Sequence, residues 1–337
     1  MATGGKPTVA ILLNPELERQ VLDEHTITNL KRLFDLVWPK GKDQLTPEQA
    51  ADMLTTADGC LTSWGSPSLT PEVLRAANGL RIMAHAAGSV KPYVSEEIWK
   101  RKIVVTTAAN VIAIDVAHYT IALMIVGRKN VMELAAQTAT GEWNNVWGHR
   151  PPDDLRGCTV GIVSASQVGR TVMELLRHFD VNLLLFDPSV TQEEARALGA
   201  TRVELSDLFR RSDIISLHAP TLFTTRHLVN GARLALMKNG SIIINTSRGA
   251  LVDEAALIAE LKKRRIWAFL DTTDPEPPPP DSPLYGCPNL TLTPHIAGSV
   301  GRGRRKIGEL ACEELRRFFT GLPPLYAVTR EQLERSA

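Results

Sequence analysis

The sequence predicts an α/β protein built on parallel sheets, and three observations carry that prediction. Short apolar runs of strand length alternate with helical segments from end to end. Several helices announce themselves by a cap residue, a proline and an acid in the first turn. The alternation falls into two similar series, on either side of a long apolar segment. Strands separated by helices imply crossover connections, which build a parallel sheet with helices on its faces.

The elements follow in order. Thr8–Leu13 is an apolar run of the buried-strand kind. Thr46-Pro47-Glu48 opens a helix, with a threonine cap, proline in the first turn and an acid near the positive helix end. Thr70-Pro71-Glu72 repeats that signature. Gly59–Thr62, Leu80–Ala84 and Ile103–Thr106 read as strands, and Ser95-Glu96-Glu97 starts a short helix. The stretch Ile112–Val126 is apolar nearly all round, which predicts a helix buried on most sides, within a core or between subunits. A loop from Gly141-Glu142-Trp143 to Trp147-Gly148 ends at Pro151-Pro152. The strands of the second series are Thr159–Val163, Asn182–Phe186, Ile214–His218, Ser241–Asn245, Trp267–Leu270 and Leu290–Leu292. Val172, Leu175, Leu176 and Phe179 fall on one face of the helix after the first of these. Asp253 caps a helix carrying Leu257, Ile258 and Leu261, and its basic end at Lys262–Arg265 suits the dipole. The proline-rich stretch Asp274–Pro283 reads as an ordered excursion, since a strand and a histidine segment follow at once.

Composition narrows the class. The 337 residues suit about two domains of roughly 100–200 residues each. Lysine plus arginine (38) nearly balance aspartate plus glutamate (37), and a net charge of +1 argues against a duplex-DNA binder. An apolar share of 44% is too high for a disordered chain. Asp115, His118 and Tyr119 interrupt the apolar stretch Val111–Gly127, so no membrane span is expected. The start MATGGKPTVAILL lacks the features of a signal peptide. Cys60, Cys158, Cys287 and Cys312 show neither metal-ligand nor redox spacing, and are read as reduced thiols of a cytoplasmic protein.

The residues that can carry chemistry sit where strands end. A dinucleotide-binding turn would read Gly-x-Gly-x-x-Gly after Thr159–Val163. This chain reads Ser164-Ala165-Ser166-Gln167-Val168-Gly169, keeping only the third glycine, the one that lets helix and strand pack closely. With serine at the first two positions, the turn is expected to avoid the dihedrals that only glycine tolerates. The helix N-terminus still offers free amides to a phosphate. On this motif alone, a structural strand–helix turn reads as well as a cofactor site. Asp187 shifts the balance. It stands about 20 residues later at the end of the next strand, where a carboxylate can accept both adenosine ribose hydroxyls and repel a 2′-phosphate. That favours NAD over NADP. Further on, Arg248 in Thr246-Ser247-Arg248-Gly249 and Asp271 follow strands. Glu276 lies in the proline loop, and His295 in Thr293-Pro294-His295 follows the last strand. Alone, each has an ordinary reading as an ion pair, a solvated acid or a turn histidine. Together they suit a 2-oxo acid: the guanidinium forks onto carboxylate and carbonyl, and a histidine oriented by the carboxylate gives the proton.

These segments resemble the D-isomer-specific 2-hydroxyacid dehydrogenases. The matching runs are LRGCTVGIVSASQVGR, SDIISLHAPTLFTTRHLVN, LALMKNGSIIINTSRGALVDEAAL, the LD…PEP loop and LTPHIAGS, between Leu155 and Ser299. LRIMAHAAGSVKPYV and the Val116–Arg128 helix match more loosely. The resemblance implies two flavodoxin/Rossmann-like doubly wound domains separated by a cleft. Residues 1–114 with 301–337 would form the substrate domain, and 115–300 the NAD-binding domain. It implies a catalytic triad of Arg248, Glu276 and His295. Gln167, Val168, Asp187, Ala219, Pro220, Thr225, Thr246 and Asp271 match positions lining the NAD site, Asp271 helping to fix the nicotinamide carboxamide. Gly88, Ser89 and Lys91 match the loop whose backbone meets the substrate carboxylate. Lys91 replaces a common aspartate, and reads equally as a reader of a second anionic or polar group or as a solvated lysine. His118 and His85 read as packing or interface histidines. A homodimer built on the Val116–Arg128 helix is implied; the expectation of no nucleic-acid or membrane partner comes from charge and composition.

The expected reaction is hydride transfer between NAD(H) and a small 2-hydroxy or 2-oxo acid. The rival is a non-catalytic NAD(H)-responsive regulatory or scaffold protein, which the serine-substituted turn would suit but the intact triad argues against. Oxidation of formate or phosphite, which related members perform, has no positive sign here.

Overall fold

The computed structural model describes residues 5–41, 43–143 and 150–335, so residues 144–149 of the tryptophan loop lie outside the described part. The chain divides into two compact units, Met1–Ile112 with Ser299–Ala337, and Ala113–Gly298.

In the first unit, β1 (Thr8–Leu12) leads to α1 (Pro15–Val21), α2 (Glu24–Leu33) and β2 (Asp35–Val37). Then come α3 (Pro47–Leu54), β3 (Gly59–Thr62), α4 (Pro71–Leu74), β4 (Ile82–His85), α5 (Glu96–Lys100) and β5 (Val104–Thr107). The helix starts are those that the cap residues dictate. Thr46 accepts from the Gln49 amide while Gln49 reaches back to the Thr46 amide, a reciprocal capping box. Thr70 caps α4 through its hydroxyl alone, which accepts from the Val73 amide, and α4 lasts only one turn. The strands form a five-stranded parallel sheet in the order β2-β1-β3-β4-β5. β3 and β4 are buried along their whole length, as strands covered on both faces must be. β4 starts later than the apolar run suggests, because the Leu80 amide bonds back to Ala77 in a turn.

α6 (Ala109–Arg128) and α7 (Val131–Ala139) follow. α6 is covered on most sides, as expected; its exposed positions, Ile114, His118, Ala122 and Ile125, fall in one stripe, where Ile114 and Ile125 are 46% and 40% exposed. By length and composition alone α6 also meets the requirement for a membrane span, against the sequence expectation; 39% of its most apolar window is buried in this protein.

The second unit holds β6 (Thr159–Val163), α8 (Gln167–Leu176), β7 (Asn182–Phe186), α9 (Gln192–Ala197), β8 (Thr201–Arg202), α10 (Leu205–Arg211), β9 (Ile214–Leu217), α11 (Gly231–Leu236), β10 (Ile242–Asn245), α12 (Glu254–Leu261), β11 (Trp267–Leu270) and β12 (Leu290–Leu292). They form a seven-stranded parallel sheet in the order β12-β11-β10-β9-β6-β7-β8. α8 buries Val172, Met173 and Leu176. It ends before Phe179, which is 37% exposed, so that member of the expected apolar face is corrected. Asp253 caps α12 by accepting from the Ala256 amide. After β12 the chain returns to the first unit as α13 (Arg302–Phe319) and α14 (Arg330–Arg335).

Each sheet reverses its strand order once, between β1 and β3 and between β6 and β9. Open α/β sheets bind ligands at the carboxyl ends of strands at such a reversal.

Two buried histidines give the fold an acid sensitivity. His85 pairs with Thr62 Oγ1 and His218 with Ser216 Oγ, each at 2.9 Å. Burial lowers both imidazoles to about 3. In the unfolded chain they titrate near ~6.5. Between those values the unfolded state binds more protons, so stability falls as pH drops, by roughly 1.4 kcal/mol per pH unit for each histidine. The urea midpoint is expected to be lower at about pH 5 than at about pH 7.5. Equal midpoints would contradict this.

Candidate active site

The site starts with the turn after β6. Ser166 has extended backbone and caps α8, its hydroxyl accepting from the Gly169 amide at 3.3 Å. The amides of Gln167 and Val168, in the first turn, have no acceptor in the chain among the described residues. They are the groups a phosphate would use. Gly169 is required, because a Cβ there would run into the Ser164 carbonyl. Ser164 overturns one expectation. The turn does not avoid the left-handed region: Ser164 sits at φ 81°. The serine keeps the path a glycine would take, and its hydroxyl donates to Asp187 Oδ2 at 3.1 Å, which offsets part of the strain.

Asp187 closes this corner. Its carboxylate also accepts from the Ala165 amide at 2.8 Å, and from the amide and hydroxyl of Ser189 at 2.8 and 2.6 Å. Burial would push its carboxyl up, but the bonds from Ser189, Ala165 and Ser164 hold it below the ordinary aspartate value. At the end of β9, Ala219 and Pro220 lead into a loop tied by Thr225. The Thr225 hydroxyl donates to the Pro220 carbonyl at 2.6 Å and accepts from the Leu222 amide at 2.7 Å.

β10 delivers Arg248. Asn245, at the strand end, donates from Nδ2 to the Arg248 carbonyl at 2.8 Å and accepts from the Ser247 amide. Ser247 Oγ donates to the Ala219 carbonyl at 2.9 Å, joining this loop to the one after β9. Gly249 allows the loop to lie against the next one, since a Cβ would collide with the Thr273 carbonyl and the Asp274 amide. Arg248 is half-buried. Burial lowers its guanidinium from the ordinary value, and the nearby Glu276 charge opposes that effect. The Thr246 hydroxyl pairs with Thr120 of α6 at 2.9 Å.

His295 Nδ1 lies 2.6 Å from Glu276 Oε1, the shortest contact among the candidate catalytic groups. Both side chains remain open to solvent, at 49% and 41%. The Asp271 carboxylate is buried and braces the histidine loop. It accepts from Thr293 Oγ1 at 2.6 Å and from the Ile296 and Ala297 amides at 2.9 and 2.8 Å. Tyr119 of α6 donates to Thr293 Oγ1 at 3.1 Å, extending the brace. The carboxylate assigned to a nicotinamide carboxamide thus already serves the loop that carries His295.

Gln167, Val168, Gly169, Asp187, Ala219, Pro220, Thr225, Thr246, Arg248, Asp271, Glu276 and His295 therefore all follow the carboxyl ends of strands in one sheet. Gly88, Ser89 and Lys91 belong to the first unit, after β4. There Thr107 Oγ1 donates to the Ala87 carbonyl at 3.1 Å and to the Gly88 carbonyl. His85 is a packed strand histidine, whereas His118 is exposed on α6. Sequence reasoning missed Tyr119, Ser189, Asn245 and Thr293. The Tyr119–Thr293 bond joins positions 174 residues apart, which no local spacing can reveal.

The model of the D-isomer specific 2-hydroxyacid dehydrogenase NAD-binding domain matches residues 121–297, just over half of the chain. The chain belongs to the D-isomer specific 2-hydroxyacid dehydrogenase family. It is 31% identical to a glyoxylate reductase of Korarchaeum cryptofilum, over 92% of this chain and 94% of that protein. It is 30% identical to a D-3-phosphoglycerate dehydrogenase of Methanocaldococcus jannaschii over 82% of this chain but only 52% of that protein. The chain thus spans about half the length of the phosphoglycerate dehydrogenases it matches. Among solved structures, the NADPH-dependent glyoxylate/hydroxypyruvate reductase of Sinorhizobium meliloti, crystallised with citrate, superposes with a TM-score of 0.75 at 25% identity. That match covers 97% of this chain and 99% of that one. The second unit is accordingly the nicotinamide-cofactor domain of a dehydrogenase family, and its residues fit that cofactor: two unpartnered helix amides, a glycine without room for a side chain, and an acid after the second strand.

Proposed function

We propose that this protein reduces a small 2-oxo acid, or oxidises the matching 2-hydroxy acid, with NAD(H). The observation that carries this reading is the 2.6 Å His295–Glu276 pair on the same sheet edge as Arg248, in a domain matched to the NAD-binding family. The Gln167 and Val168 amides would hold the pyrophosphate at the start of α8, with Asp187 toward the adenosine. The bound cofactor supplies or accepts a hydride. Arg248 binds the substrate carboxylate and polarises the carbonyl through its fork of N–H donors. With Nδ1 engaged by Glu276, Nε2 is the His295 atom left to give a proton to the carbonyl oxygen, or to take it back. Gly88, Ser89 and Lys91 are assigned to the substrate side.

The names of its relatives suggest glyoxylate and hydroxypyruvate as first substrates to try. NADH absorbance at ~340 nm, followed with a panel of 2-oxo acids, should fall with at least one of them. Binding of NADH without oxidation across the panel would favour the scaffold reading instead.

We also propose a homodimer. Supporting it are the exposed apolar side chains Ile114 and Ile125 on α6, Val131 and Met132 on α7, and Trp143. Light scattering should return twice the mass of one chain. A cytoplasmic location is supported by the cysteines, all four of them free.

A further inference from the structure

Asp187 is where this chain departs furthest from an open ribose acceptor. A carboxylate offers about four lone-pair sites. Here four donors of the chain itself face them: Ser164 Oγ and the Ala165 amide on Oδ2, and the amide and hydroxyl of Ser189 on Oδ1. The residue is 7% exposed. Ser164 reaches its place only by adopting φ 81°, a conformation that L-residues rarely take. The hydroxyl that this conformation positions points at the carboxylate. Arg170 of α8 lies beside the turn, its Nε donating to the Ala165 carbonyl at 2.9 Å.

We propose that Ser164 sets cofactor specificity by closing the Asp187 carboxylate, so that an adenosine ribose meets the Ser164 and Ser189 hydroxyls in place of carboxylate oxygens. The inference rests on the cofactor reading above. A ribose hydroxyl that donates to a neutral hydroxyl makes a hydrogen bond about half as strong as one to a carboxylate. NADH therefore loses part of the attraction that an open aspartate would supply. A 2′-phosphate needs donors, and Arg170 beside the turn gives only Nε to the Ala165 carbonyl, which leaves the rest of its guanidinium N–H groups to offer. Both effects narrow the preference for NADH over NADPH.

The test is binding, read by the fluorescence of NADH and NADPH on the intact protein, with turnover left out. Ser164→Gly keeps the backbone path, relieves the strain and frees one acceptor site on Oδ2. It should tighten NADH about tenfold and raise the NADPH-to-NADH ratio of Kd values by about the same factor. Ser164→Ala, which lacks the hydroxyl but keeps the Cβ, should move the ratio in the same direction if it melts cooperatively. An unchanged ratio in Ser164→Gly overturns the proposal while leaving the cofactor reading intact. Failure of both the parent protein and Ser164→Gly to bind either dinucleotide overturns both.

Discussion

Arg248→Ala is expected to lower kcat/KM for the 2-oxo acid by about three orders of magnitude, with NADH affinity unchanged. The loss is that large because two charge-assisted hydrogen bonds go together, at roughly 1.5–3 kcal/mol each. The half-buried position of Arg248, next to Glu276, limits the water that could take its place. Arg248→Lys keeps the charge but loses the planar fork, and is expected to recover less than about a tenth of the lost activity. Steady-state kinetics with a cofactor titration on the same samples checks this. A variant retaining parental kcat/KM would remove Arg248 from the site.

The second large effect is at the acid–base pair. His295→Ala is expected to cut kcat by about 10²–10⁴, the usual contribution of a positioned proton donor. Glu276→Gln retains a hydrogen-bonding partner for Nδ1 but removes the charge, and should cost roughly tenfold to a hundredfold in kcat with little change in KM. Because Glu276 acts through His295, at 2.6 Å, the double variant should be no slower than His295→Ala alone. Additive losses would mean that Glu276 works on the substrate independently.

The sequence carried the second unit better than the first. β6, β7, β11 and β12 fall on the residues that their apolar runs mark. Buried parallel strands leave a continuous apolar record, and the chemistry sits directly at their ends. β2 and β8 were not legible, since they are edge strands of only three and two residues, too short to leave a run, and β8 has no apolar residue. Arg248, Glu276 and His295 could be read as a set because each lies in a recognisable strand-end segment. The supports could not. Asp271 looks like one more ligand-facing acid in the sequence, and only three dimensions show its carboxylate tied to Thr293 and to the amides of Ile296 and Ala297. Ser164 illustrates the opposite limit. Residue type argued against a left-handed backbone, yet the Asp187 carboxylate gives that serine a partner there. A propensity describes an average environment, and this turn supplies a particular one.

The central claim is that this protein moves a hydride between the nicotinamide and carbon 2 of the acid. The most direct measurement uses NADH deuterated at both C4 positions, with whichever 2-oxo acid supports the fastest oxidation, and mass spectrometry of the product. The account predicts a 2-hydroxy acid carrying one deuterium on carbon 2. A product without deuterium, formed while NADH is consumed, would contradict it.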